Sequence, residues 1–210
     1  MLGVATASDP AFLALHALRL KGFADVAAVA ALTGLELSDA ERALAAAAEE
    51  KLVTHRDGRV TGWSITAAGR QRHRELIRAE LDAAGTRQLI EASYATFLSV
   101  NTDLLEVCTA WQLRNGVPND HADADYDARV VSRLGSVDDV IQPVCNDLAK
   151  ALARFGDYGR RLADARARVE AGDGDWFTKP MIDSYHTVWF ELHEDLLATL
   201  GIERSKGTDH

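Results

Sequence analysis

Residues 32–70 read LTGLELSDAERALAAAAEEKLVTHRDGRVTGWSITAAGR, and within them a helical pattern yields to a strand pattern and then returns. Thr33-Gly34 marks a helix stop, because glycine takes the left-handed conformation after a helix without a Cβ penalty. After the turn Leu35-Glu36-Leu37, Ser38 and Glu41 stand in S-x-x-E spacing, which predicts a capping box and a new helix. Alanines at 43 and 45–48 are strong helix formers, with Leu44 and the alanine face as the anchor. Beyond Lys51, LVTHRDGRVTGWSIT alternates apolar and polar residues around Asp57-Gly58, a dipeptide suited to the positive φ angles of a tight turn. A two-stranded hairpin is expected there. Thr66 then predicts the cap of a further helix, AAGRQRHRELIRAEL, with Leu76 and Ile77 on its apolar side.

Upstream, Ser8-Asp9-Pro10 supplies a capping side chain followed by proline at an early helical position. The helix that follows carries Phe12, Leu13, Leu15, Leu18 and Leu20 inward and stops near Gly22. A short helix from about Asp25 buries Val26, Val29, Ala30 and Leu32. Helix, helix, turn, helix, hairpin, helix over residues 10–80, with T-G-L before the third helix and W-S-I-T-x-x-G-R after the hairpin, resembles the winged helix-turn-helix domain of MarR-like bacterial regulators. The resemblance implies a homodimeric DNA-binding protein with its third helix in a major groove and its wing against the backbone.

Charge bears on that expectation. The segment Ser38–Lys51 carries Arg42 and Lys51 against Asp39, Glu41, Glu49 and Glu50, and its alanines cannot hydrogen-bond base edges. Ser38 and Arg42, near the helix start, are its candidates for base contact; alternatively Arg42 pairs with Asp39 or a neighbouring glutamate. The hairpin is better equipped: His55, Arg56 and Arg59 flank its tip and could lie over phosphates, and Arg70, Arg72 and Arg74 would extend the stripe. Residues 1–84 hold 10 Lys+Arg and 11 Asp+Glu, leaving 13 and 21 for the remainder. The net charge of −9 therefore resides mainly in the second half, and disfavours a wholly basic nucleic-acid coat or a membrane-surface protein. The two cysteines, Cys108 and Cys145, lie in apolar helical stretches without CxxC spacing and are expected to be reduced core residues. With no apolar run of membrane-span length and no basic-then-apolar leader in MLGVATASDPAF, the protein is expected in the cytoplasm.

From Thr86 the periodicity is helical throughout. Leu89, Ser93, Phe97, Val100, Leu104, Val107/Cys108 and Trp111 form one stripe, and Ile90, Tyr94, Leu98 and Leu105 form a second, so this helix should be central. Asn101 falls on the second stripe, where a polar group needs a partner or a ligand. NGVPNDHADADYD breaks the helix and offers Asn119 or Asp120 as the next cap. Asp123, Asp125 and Asp127 alternate as in a calcium loop, but Ala128 and Leu134 replace the required glycine and glutamate, which excludes an EF-hand. Helices are expected over 122–134, 137–155 and 157–171, then a loop GDGDWFTKP.

The last element, IDSYHTVWFELHEDLLATLG, places Tyr185, Val188, Leu192, Leu196 and Thr199 on one side and Asp183, His186, Phe190, His193, Glu194 and Leu197 on the other. Burying both sides brings imidazoles and carboxylates inside, where they need partners. Two uses would satisfy them: a divalent metal on Asp183, His186 and His193 with His121 as fourth ligand, or a polar pocket for a small organic effector reached by Asn101, Trp111, His186 and His193.

The expectation is a mainly α protein, with a winged helix-turn-helix over 8–84 and an all-helical effector or dimerisation domain over 85–204. Its layout also resembles that of GntR-type regulators, whose ligand spacing is not reproduced. A transcriptional regulator that binds double-stranded DNA is the expected function, with a winged helix that docks on protein as the alternative. No nucleophile elbow, phosphate loop or metalloprotease motif supports catalysis.

Overall fold

The computed structural model describes residues 8–202. The protein is mainly helical with a small antiparallel sheet, and none of the described helices is long and apolar enough to cross a membrane. The described residues fall into two compact units, one of residues 88–196 and the other of residues 8–87 with 197–202. The expected join at 84/85 lies at Gly85, which ends a helix in the left-handed conformation.

In the first unit, the Asp9 carboxylate accepts the Ala11 N–H at 2.7 Å and Pro10 opens α1 (Pro10–Lys21). Gly22, with φ +72°, ends it. Asp25 likewise caps α2 (Val26–Thr33), which Gly34 closes. The third helix, α3 (Leu37–Glu49), starts earlier than its capping-box spacing predicts. Glu36 is the cap residue and offers no side-chain bond, while its carbonyl takes the N–H of Ala40 at 3.0 Å. Ser38 is therefore already inside the first turn, and the Ser38–Glu41 box does not form.

The strands β2 (Val53–Arg56) and β3 (Gly62–Ile65) pair antiparallel, Val53 opposite Ile65 and Arg56 opposite Gly62. The connection is therefore the loop 57–61, longer than the two-residue turn that Asp57-Gly58 suggested. A strand the periodicity did not announce, β1 (Phe23–Ala24), completes the sheet in the order β1-β3-β2. It lies so close that a Cβ at Gly62 would stand 2.9 Å from the Ala24 carbonyl oxygen.

The T-x-x-G-R motif also acquires a physical account. The Thr66 hydroxyl reaches the carbonyl oxygens of Lys51 at 2.9 Å and Leu52 at 3.0 Å, and its oxygen accepts the Gly69 N–H at 3.0 Å. It thereby caps α4 (Ala67–Ala84) and ties it to the hairpin. At Gly69 an added Cβ would sit 2.0 Å from the Leu52 carbonyl oxygen, so only glycine fits. Leu15, Leu18, Val29, Leu44 and Val53 fill the core, where full burial of one aliphatic side chain contributes about 1.5–3 kcal/mol. Its polar part is His16 and His73, stacked beside Phe12 with Nδ1 and Nε2 2.9 Å apart, one ring donating and the other accepting.

The second unit is built on α5 (Arg87–Gln112) and α6 (Ala124–Ala151), followed by a 3-10 turn at Ala153–Phe155, α7 (Tyr158–Glu170), the short α8 (Asp175–Thr178) and α9 (Tyr185–Leu200). Between α5 and α6, Asn115 and Gly116 both take positive φ, 53° and 80°. They turn a small hairpin of β4 (Leu113–Arg114) and β5 (Val117–Pro118), the two-residue geometry that Asn-Gly favours. Asp123, rather than Asn119 or Asp120, caps α6 through the Tyr126 N–H. That bond, with the Arg114 guanidinium, holds its carboxyl below the usual range.

Helix α6 runs unbroken through Leu134-Gly135, which the sequence offered as a break. Gly135 serves packing instead: a Cβ there would meet the Arg166 guanidinium of α7 at 3.1 Å. The segment expected as a plain loop contains α8, whose Phe177 is fully buried. On α5 the first stripe is buried as predicted from Ser93 to Cys108, whereas Leu98 of the second is exposed. Cys108 and Cys145 are free and buried, and burial pushes both thiols up to about 12.

Candidate functional site

Two places could meet an outside partner, one in each unit. In the first, the outward face of α3 presents Leu37, Ser38, Glu41, Arg42, Ala45, Ala46 and Glu49. The Arg42 guanidinium is held by Asp39 three residues earlier, so this face is acidic on balance. On the hairpin, His55 packs its ring on Trp63, centroids 4.6 Å apart, with Nδ1 3.4 Å from an Asp57 oxygen. Arg56 and Arg59 are exposed, and neither forms an ion pair or side-chain hydrogen bond among the described residues. Arg70 is turned back on its own element, donating to the Ile65 carbonyl at 3.0 Å. Arg72 lies 3.6 Å from Glu75, and Arg74 is bonded to Gln71. The stripe expected from the sequence thus contracts to the hairpin loop and its two unneutralised arginines.

In the second unit the four expected metal ligands do not gather, and among the described residues no group of three or more His, Cys, Asp or Glu is placed to hold a metal ion. Asp183 is clasped by Arg161, Nε and Nη2 each 2.9 Å from a carboxylate oxygen. His193 is buried against Phe97, 4.9 Å between centroids, and Tyr94. His186 is half-buried, and desolvation lowers its pKa. His121 pairs with Asp127. Helical spacing put His186 and His193 on one side of α9 but carried no information about what faced them, and arginine and aromatic neighbours met the need. Asn101 is likewise committed to the interior: its Oδ1 accepts the Trp189 indole N–H at 2.9 Å.

The buried carboxylates that sequence reasoning passed over are Glu191, Asp195 and Asp138. Arg154 pairs with Asp195, their side chains 3% and 2% exposed, and the Tyr158 hydroxyl donates to the same carboxylate at 3.1 Å. Arg161 joins Asp183 to Glu191, the latter at 2.7 Å. Asp138 accepts from Arg166 at 3.1 Å, the Tyr185 hydroxyl at 3.0 Å and Gln142 at 3.0 Å. Burial first, and the adjacent carboxylates second, hold the Tyr158 and Tyr185 phenols far above their ordinary pKa, so both remain donors. These groups hydrogen-bond to one another, and the network ties the helices of the second unit together.

Trp111 and His121 do meet, at a cleft of about 880 Å³. The Trp111 indole stacks on Phe177, 4.7 Å and 11° from parallel, and touches the His121 ring at 4.4 Å. Its edge also lies against Gly174, where a Cβ would come within 2.9 Å. Ala128, Val131, Val169 and Pro180 complete an apolar wall. His121, with φ +55°, turns Nδ1 to Asp127 at 2.9 Å. Asn119 donates to the other Asp127 oxygen at 3.0 Å and to the Trp111 carbonyl at 3.2 Å, so it is a brace for the cleft rather than a helix cap. A carboxylate only accepts, and at 2.9 Å it outweighs the 3.3 Å approach of the Asn119 amide to the same nitrogen, which favours the tautomer with the proton on Nδ1 and the lone pair on Nε2 in the neutral ring. At the rim Asp175 holds Lys179 at 2.5 Å, and Gln112 donates to the Thr178 hydroxyl at 3.2 Å.

Comparison with known protein families, curated proteins and solved structures finds no match.

Proposed function

We propose that this protein is a cytoplasmic, homodimeric transcriptional regulator that binds double-stranded DNA through its first unit and senses a small molecule through its second. The observation that carries the reading is the order α1-β1-α2-α3-β2-β3-α4 with the sheet β1-β3-β2, an order that a winged helix would share, together with the loop 57–61, which bears unneutralised Arg59 with Arg56 beside it. In this reading the wing supplies phosphate contacts and α3 reads bases weakly, through Ser38 and a released Arg42. Two copies on a palindromic site double the contacts that one wing can make.

The test is fluorescence anisotropy with duplex DNA from upstream of the protein's own gene, over a salt series. Affinity should fall with a log-log slope of about −0.9 per phosphate neutralised, and replacing Arg56 and Arg59 together by alanine should flatten that slope. Equal binding by the double variant would remove the wing from the interface.

The acidic outward face of α3 favours a second reading, in which the same module docks on a basic protein surface. Purification of a tagged full-length chain distinguishes them: one enriched protein partner and no bound DNA would replace the first reading by the second.

A further inference from the structure

The cleft at Trp111 specifies its ligand more closely than the sensor reading it rests on. Its volume of about 880 Å³ lies within the usual range for small organic ligands, roughly 300–1,000 Å³. Aromatic and aliphatic side chains line it together with three carboxylates, Asp127, Asp173 and Asp175. Against them stands one permanent cation, Lys179, already engaged by Asp175. Asp127 is met by His121 and Asn119. Asp173 has no ion pair or side-chain hydrogen bond among the described residues; only its backbone is engaged, through the Arg168 carbonyl and the Trp176 N–H.

The balance of fixed charge is therefore negative. An anion entering here would meet three carboxylates against one ammonium, Lys179, which is bonded to Asp175 and also feels Asp173, whereas an ammonium group would meet the Asp173 carboxylate, which has no hydrogen-bonded partner among the described residues. The apolar body of such a ligand would meet the half-buried Trp111 indole and the aliphatic wall beside it. With Nδ1–H directed at Asp127, the lone pair on His121 Nε2 adds an acceptor for an N–H donor. We infer that the cleft binds a small organic amine with a flat apolar body, its ammonium directed to Asp173 and His121 and its body laid against Trp111 and the Val131–Val169 wall.

Three probes of matched shape test this by isothermal titration calorimetry on the full chain without DNA: phenethylamine, 2-phenylethanol and 3-phenylpropionate. Phenethylamine should bind at least about tenfold more tightly than the carboxylate, about 1.4 kcal/mol, with the alcohol between them. Asp173→Asn, an exposed change, should bring the amine close to the alcohol. Ala128→Trp, with folding checked by circular dichroism, should abolish binding of all three by filling the cleft. The inference is overturned if phenethylamine does not bind, if the carboxylate binds as well as the amine, or if amine binding survives both variants. Because the titration contains no DNA, loss of the regulator reading in the salt series would leave a positive result here intact, and a negative result here would leave the wing untouched.

Discussion

Arg42 and Arg154 each lie against an aspartate, and the two pairs have little else in common. Arg42 and Asp39 are three residues apart on one helix, their side chains 78% and 37% exposed. Arg154 and Asp195 come from distant parts of the chain and are 3% and 2% exposed. The first pair is surrounded by water and can exchange its partner for a phosphate or another protein at little cost. The second has given up its hydration and is held by what packs around it. A related contrast separates the two units: Arg42 and Arg72 of the first sit in exposed pairs within one helix, whereas Arg161 and Arg166 of the second tie α7 to α9 and to α6. That difference is what the proposed outward-facing role of the first unit rests on.

The largest expected effect breaks the buried side of the comparison. Asp195→Ala leaves the Arg154 guanidinium and the Tyr158 hydroxyl without their shared acceptor, and should lower stability by about 3–5 kcal/mol in urea unfolding; a loss below about 1 kcal/mol would mean that water reaches the pair. Next comes the close contact in the first unit. Gly69→Ala drives a methyl group into the Leu52 carbonyl and should cost about 1–3 kcal/mol, seen as a lower Tm, and an unchanged melt would show that α4 can slide away from the hairpin.

A pH series sharpens the contrast further. Burial lowers the pKa of His186 in the folded protein relative to about 6.5 when unfolded. The fold therefore prefers the neutral ring. Its contribution to stability is present above the unfolded pKa and declines as the pH falls through that value toward the lower folded one. His186→Gln should reduce the loss of stability between pH 7 and pH 5, and an identical pH profile would show that the ring is solvated. Smallest is Arg42→Ala, which removes an exposed pair and should change stability by no more than about 0.5 kcal/mol. A larger loss would mean that the α3 surface is more tightly organised than its exposure indicates.

Legibility differed between local and distant features. Asp9-Pro10, Gly22, Asp25, Gly34 and Thr66 punctuate the first unit where the sequence placed them, because a cap is a bond between neighbours in the chain. The two Xaa-Gly dipeptides show the limit of that logic. Asn115-Gly116 makes the two-residue turn, whereas Asp57-Gly58 lies in a longer loop because the pairing of Arg56 with Gly62 sets the register. At the candidate cleft, Trp111 and His121 were both singled out, but for different sites. Their meeting depends on the β4–β5 hairpin returning the chain to the end of α5. Asn119 read as a helix cap, Asp127 as part of an alternation of aspartates, and Asp173 and Gly174 as loop, so none of them was marked as part of a cleft. Glu191 and Asp195 were missed because a carboxylate on a two-sided apolar helix looks the same whether it faces water or an arginine.

What the linear chain settled by itself is the run of elements in the first unit, the helical character of the second, and the concentration of acidity there, since each depends on residues within a few positions of one another or on simple counting. The third strand, the partners of the buried ions, the continuity of α6 through Gly135 and the walls of the cleft were decided only in three dimensions. Desolvation makes a buried charge require a partner, but it does not constrain where along the sequence that partner comes from.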